Sequence, residues 1–370
     1  MTWLTWRQFR AQAITGAAVL AVLAIALGIT GPHLAHLYAS SGLATCQAHG
    51  NCGPLVTAFT AQVKASTIDE LLFILCIGLL LAAPALIGVF WGAPLVAREI
   101  EAGTFRLAWS QSVTRARWLA VKLGLVGLAS MATAGLLSLM VTWWAGPIDR
   151  AAGLPAGRDG TPGFNRFAPL LFDSRGIAPI GYALFAFVLG VTVGVLIRRT
   201  VPAMAVTLAI FVGVVWFAFP TWARPHLLPP AQVTVPLSNA STVGFELVGD
   251  GRLLVQTSPP DLPGTWVLST QLTTPDGRPA STVPATEACT SPSPGQTCPA
   301  YVASLHLRQT VSYQPASRYW PLQWYETGIY LALTLALAGL CLWWIRPGHF
   351  AGLNIRHRTS QPTPALQSSP

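Results

Sequence analysis

Two pairs of cysteines, three carboxylates in one loop and a dense run of charge from Arg98 to Lys122 are the residues of this chain best placed to do chemistry. Cys46 and Cys52 stand six positions apart, and Cys289 and Cys298 nine. Neither pair has the C-x-x-C spacing of a zinc site, and only His33, His36, His49 and His306 are scattered near them. Such pairs in segments exposed to an oxidising compartment predict a disulfide within each, with cross-pairing between the segments as the open alternative. No metal site is expected. Asp149, Asp159 and Asp173 share one polar loop, where carboxylates are ordinarily solvated. The motifs H-E-x-x-H, G-x-S-x-G and G-x-x-x-x-G-K-[ST] do not occur, and the only lysines, Lys64 and Lys122, lack a phosphate-loop context. The chain is therefore not expected to be an enzyme, and no cofactor is expected on it.

The elements that must position these residues are membrane helices. Charged residues make up 9% of the chain, against about a quarter in a soluble domain, while 52% are hydrophobic and mean hydropathy is +0.51. Apolar runs at 13–30, 71–95, 119–144, 177–197, 202–221 and 327–345 each suit a helix that crosses a bilayer, and none holds Asp, Glu or His. The first run is longer than a signal-peptide core. Trp3, Trp6, Arg7 and Arg10 precede it, which predicts a short interfacial helix leading into an uncleaved span.

With both termini cytoplasmic, the inner segments hold 12 cations and two acids, and the longer outer ones 10 cations and 11 acids. That asymmetry satisfies the positive-inside rule. It also accounts for the net charge of +9 without a nucleic-acid partner. Trp143, Trp144, Trp222, Trp320 and Trp324 are placed at the outer interface, and Trp3, Trp6, Trp118, Trp343 and Trp344 at the inner one.

The expected fold is mainly α: a polytopic membrane protein of six transmembrane helices, an N-terminal interfacial helix and a small β-rich extracytoplasmic domain between helices 5 and 6. The divisions are 1–221 for the first five spans with the 96–122 loop, 222–326 for the outer domain, 327–350 for the sixth span, and 351–370 for a polar, disordered tail. Strands are predicted over Arg252–Thr257, Thr265–Thr274 and Ser304–Tyr313, with Asp276-Gly277 as a turn. The loop 145–176 reads as irregular.

The charged run joins the second and third spans on the cytoplasmic side. Gly103 can end a first short helix by taking a left-handed backbone. Thr104–Gln111 can form a second short helix, and Thr114 can cap the helix that re-enters the membrane. Phe105, Trp109 and Trp118 would hold this knob against the membrane. A solvated connector whose charges only satisfy topology is the bland alternative.

The run Arg98-Glu99-x-Glu101-x-Gly103-Thr104, a short helix, then Ser112-Val113-Thr114-Arg115-x-x-Trp118-Leu119-x-x-Lys122 resembles the cytoplasmic loop of ABC-2-type transporter permeases. Ser112 stands where that family often has proline. The surface helix, the six spans, the cytoplasmic termini and the element between spans five and six extend the resemblance, although the outer segment is longer here than in many relatives. The resemblance implies a dimer of such subunits in a bacterial plasma membrane, served by a separate ABC ATP-binding subunit that holds ATP and Mg. Arg98, Glu99, Glu101, Gly103, Thr104, Phe105, Arg106 and Arg115 would then lie in the helices that dock on the ATPase, with Lys122 at the base of span three. Glu99 and Arg106 are expected to make polar contacts with it.

The resemblance also implies a pathway at the dimer interface lined by spans two and five. Phe73, Phe90 and Trp91 on the one, and Thr207, Phe211, Trp216 and Phe217 on the other, would suit a hydrophobic or amphiphilic cargo such as a drug, natural product or lipid-like molecule. Gly190 and Gly194 form a G-x-x-x-G that can mark close helix packing. Twenty Arg to two Lys, with abundant Ala, is a bias of actinobacterial proteins. The competing expectation is a membrane sensor whose outer domain binds a ligand and whose 96–122 loop signals to a cytoplasmic partner.

Overall fold

The protein's computed structural model describes residues 2–46, 52–103, 114–154, 165–237, 243–248, 251–260, 262–286, 289 and 294–345. Among them, six helices are long and apolar enough to cross a membrane. The first span is α1 (Thr2–Ser40). The interfacial helix expected over the first twelve residues is continuous with it, since Arg10-Ala-Gln-Ala-Ile14 contains no Gly, Pro or capping residue to break the turn. The second span is α3 (Thr67–Leu86), which passes through a π-helical turn (Ile87–Gly92) into α4 (Ala93–Glu101). The third is α5 (Arg115–Trp144) and the fourth α8 (Ala178–Ile197). The fifth is α9 (Thr200–Phe211) with its π-helical continuation (Val212–Ala223), and the sixth is α11 (Tyr319–Trp344).

The fourth span is the hub. Of its most apolar window 78% is buried within the protein, against 11% for the first span. Small residues make this possible: a Cβ on Gly88 would lie 2.7 Å from the Ala186 carbonyl oxygen, and one on Gly194 2.6 Å from that of Ala93. Gly92 and Gly190 meet the facing backbone still more closely. The G-x-x-x-G of span four thus packs backbone to backbone on the π turn of span two.

That turn has a local cause. Pro94 has no N–H for the Phe90 carbonyl four residues back, and Gln12 Nε2 of span one reaches this oxygen at 2.9 Å instead. At the outer end, Trp144 Nε1 donates to Thr30 Oγ1 at 2.9 Å. Trp144 and Trp118, both expected at an interface, are buried at 1% and 4% exposure. Adjacent helix positions point about 100° apart, so Trp143 faces outward while Trp144 turns in. Trp143, Trp222, Trp320 and Trp324 are exposed.

The connections after spans one, three and five are more ordered than their composition suggests. Between spans one and two stands α2 (Gly53–Ala65), held at its start by the disulfide Cys46–Cys52. The loop expected to be irregular contains α6 (Gly146–Ala152) and α7 (Pro169–Asp173), each begun by a proline in its first turn, where the missing N–H costs nothing. After span five come β1 (Ala231–Pro236), β2 (Val243–Val248), β3 (Arg252–Thr257), β4 (Trp266–Thr273), β5 (Thr282–Pro284), α10 (Pro294–Ser304) and β6 (Arg308–Gln314).

These strands make two antiparallel three-stranded sheets, ordered β1-β6-β4 and β2-β3-β5. Leu253, Val255, Leu272, Val283, Val302 and Leu307 form a shared core, to which the disulfide Cys289–Cys298 ties α10. Two predicted strands and the turn at Gly277 (φ +81°) stand as expected. The third starts later, because Ser304 ends α10.

Candidate functional site

The C-terminal end of span two, α4, is the first place where polar residues converge. Along α4, Ala93, Val96 and Ala97 are buried, which turns Arg98 and Glu101 outward and leaves Glu99 half-buried. Gly103 (φ +71°) ends the helix in the left-handed region, as the sequence predicts. Thr114 Oγ1 accepts from Arg117 N at 3.4 Å and caps α5. Thr104, Phe105, Arg106 and Trp109 lie outside the described residues.

Glu99, expected to face a partner, is turned to its own chain. Its Oε1 is 2.5 Å from Lys122 Nζ, whose ammonium also sits 4.5 Å from the centre of the Trp118 ring. Lys122 is 3% exposed. A buried ammonium without a counter-charge would be strongly unfavourable, so span three requires Glu99 where it is. Glu101 Oε2 accepts from the backbone N–H of Thr200 at 3.1 Å and from its hydroxyl at 2.7 Å. A carboxylate from span two therefore satisfies free donors at the N-terminus of span five. Thus the end of the 96–122 loop is fastened to spans three and five by two carboxylates, and to span four by its glycine contacts.

The expected pathway residues do not share one surface. Phe90 and Trp91 line an open groove of about 430 Å³ between spans one and two, together with Gln12, Thr15, Leu79 and Leu86. A second groove of about 400 Å³ continues it along Val19, Val22 and Leu72. Trp91 packs edge-on against Phe9 at 4.8 Å between ring centres. Phe73 lies under the Arg175 guanidinium. On span five, Trp216 and Phe217 are exposed, but Thr207 and Phe211 are buried at 1%. The Thr207 hydroxyl is bonded to Ala203 O of its own helix, and Phe211 packs into the core with Tyr182 and Tyr330. Helix positions three or four apart share a face and those between turn away, which puts Thr207 and Phe211, four apart, on the buried side.

At the opposite end of the bundle, sequence reasoning missed a cluster. Asp149 and Asp173, expected to be solvated, are in ion pairs, and Asp159 lies outside the described residues. Arg175 Nη1 donates to Asp149 Oδ2 at 2.9 Å. Arg224, at the end of span five, donates from Nε to Glu326 Oε2 at 2.9 Å and from Nη2 to Glu326 Oε1 at 2.8 Å, and also pairs with Asp173. The Tyr182 hydroxyl lies 2.9 Å from Asp173 Oδ1 and 2.5 Å from Glu326 Oε1. Exposure is 4% for Asp173, 2% for Arg224 and 0% for Glu326.

The spans are therefore not free of acids, because α11 begins at Tyr319 and carries Glu326 into the packed bundle. One turn earlier, Gln323 Oε1 accepts from Ala178 N at 2.8 Å and caps span four, while its Nε2 donates to Phe172 O at 3.0 Å. A sequence signal existed: Glu326 and Gln323 lie on the apolar face of an otherwise continuous helix.

Burial pushes the Asp173 carboxyl up to about 6, against the pull of Arg224 and with a smaller push from Glu326. The folded protein then holds that proton more tightly than the unfolded chain. Stability from this group is full below the ordinary aspartate range and is lost as pH rises through about 6. Unfolding temperature should accordingly fall between about pH 4 and pH 6.5, and Asp173→Asn should flatten that slope. An unchanged slope in the variant would assign the effect to other groups.

Among the described residues, no three His, Cys, Asp or Glu side chains stand together as a metal site. A family model described as ABC-2 membrane transporter related matches residues 17–224, more than half of the chain. No curated protein and no solved structure matches.

Proposed function

The chain belongs to the ABC-2 membrane transporter related family, and from that premise we propose that it is the permease subunit of an exporter driven by a separate ATP-binding subunit. The observation that carries this reading is the cytoplasmic end of span two, where Glu99 engages Lys122 of span three and Glu101 engages Thr200 of span five. A partner that moves the 96–122 loop thereby moves three spans at once. ATP and Mg²⁺ belong to the partner in this reading, and the residues of this chain transmit motion rather than perform chemistry.

A second copy of the chain completes the pathway, and the plasma membrane surrounds it with both termini cytoplasmic. The apolar groove that runs past Phe90 and Trp91 supports a hydrophobic or amphiphilic cargo that enters from the bilayer. Its lining is almost wholly apolar; of its polar groups, Gln12 and Thr15 stand near the start of span one and Thr133 midway along span three.

Affinity purification of this chain in mild detergent from its native host, with cysteine crosslinking from Arg98→Cys, tests the reading. A stoichiometric partner that carries a phosphate-loop sequence and crosslinks through position 98 is the expected result. Recovery of the folded chain with no such partner under crosslinking would overturn it.

A further inference from the structure

We propose that Arg224, Asp173, Glu326 and Tyr182 form an outer latch, which joins the outer ends of spans four, five and six and the roots of the β-rich segment into one body when the cluster holds a proton and loosens when both carboxylates are ionised. This goes beyond the reading above and does not depend on an ATPase partner.

The four side chains come from four elements: Asp173 from α7, Tyr182 from α8, Arg224 from the end of span five and Glu326 from α11. The Arg224 guanidinium is stacked 4.3 Å from the centre of the Phe172 ring, which closes the cluster on the α7 side. The roots of the outer segment leave from this point without a hinge. Gln314 Nε2 donates to Leu228 O at 2.8 Å, and Arg318 Nη1 bonds Pro229 O. The register of β1 on β6 begins at once, from Ala231 opposite Tyr313 to Pro236 opposite Arg308. On the other side, Asn165 Nδ2 donates to Thr265 O at 2.5 Å, and Phe167 stacks on Trp266. A rotation of span five that keeps these contacts must carry both sheets with it.

The charge count makes the latch responsive. Among the described residues, Arg224 is the one cation that touches both carboxylates, so these groups are neutral together with one proton and carry an excess negative charge without it. In a site closed to water that excess is costly. The other groups that face Asp173 are Tyr182 from α8 and Tyr319 and Tyr330 from α11, with Arg175, Asp149 and Arg166 acting around Tyr319. His226 is exposed and bonded to Trp222 O, so it is directed away. Asp173 also lines a largely apolar cavity of about 130 Å³ with Leu81, Pro169, Leu170, Trp216 and Pro220. Burial raises its carboxyl to about 6, within reach of an ordinary external pH.

The test uses the full chain in lipid nanodiscs, spin-labelled at Ser40→Cys on span one and Arg278→Cys on the outer segment, both exposed positions, while the free Cys76 and Cys341 are buried. Double electron–electron resonance should give one narrow distance at about pH 5 and a second population several-fold larger at about pH 8. Asp173→Asn should stay narrow at both, and Arg224→Gln broad at both. A folded Arg224→Gln with the unmodified protein's narrow distance overturns the latch. Should that variant not fold, the Asp173→Asn comparison decides, because an identical pH response with and without Asp173, or no response in the unmodified protein, overturns it equally.

Discussion

Glu99→Gln should cost about 3 to 5 kcal/mol of stability, the range for stripping the partner from a buried ion pair, and should abolish any stimulation of an ATPase partner by this chain. Lys122 is 4% exposed at its side chain and Glu99 17%, so solvent cannot replace the lost charge. Glutamine keeps the size and one acceptor, so the effect isolates charge. The paired swap Glu99→Lys with Lys122→Glu restores the ion pair and should recover most of the stability. If the single variant melts within about 0.5 kcal/mol of the unmodified protein, the range for surface substitutions, then the pair is not what holds spans two and three together. Stimulation of the partner is a separate readout: stability lost with partner stimulation retained would leave the Glu99–Lys122 pair as a structural feature and remove it from transmission.

Gly190→Val should separate the second and fourth spans. A Cβ at this position would stand 2.8 Å from Ala93 N and closer still to the Gly88 carbonyl oxygen, and neither is the tip of a flexible side chain. The helices must move apart, at about 3 kcal/mol, the upper end of the usual overpacking cost. Gly124→Val is the matched control, since nothing lies within 4 Å of its Cβ. Thermal unfolding of the two variants in the same detergent should differ by that amount. Equal unfolding would mean that the close approach of the two backbones does not contribute.

The membrane-spanning helices were legible because a bilayer leaves a strong mark on composition. Each span needs a long apolar run, so the six runs and the six helices coincide. Disulfide pairing was legible as well, since Cys46 and Cys52, like Cys289 and Cys298, are near neighbours in the chain. So were Gly103 and Thr114, because a left-handed terminus and an N-cap are decided by the residue itself. The pathway set was legible only as a list of aromatic residues. Phe211 and Phe217 are six positions apart on one helix, yet one is 1% exposed and the other 64%.

The ion pairs followed a different logic. Glu101 meets Thr200, Glu99 meets Lys122, and Arg224 meets Asp173 and Glu326, contacts that join residues from 23 to 102 positions apart. Nothing local to Asp173 distinguishes it from a solvated loop aspartate. What buries it is the arrival of Arg224 and Glu326 from two other helices, and the helix α7 that a proline begins. The sequence by itself determined the class of the protein, its spans, its disulfides and the turn and cap residues of the loop between spans two and three. These depend on the solvent each segment must enter and on the backbone of single residues. The tertiary structure decided which charges are partnered, which glycines admit a facing backbone and which aromatics remain exposed, because those depend on the rotation and proximity of helices that are distant along the chain.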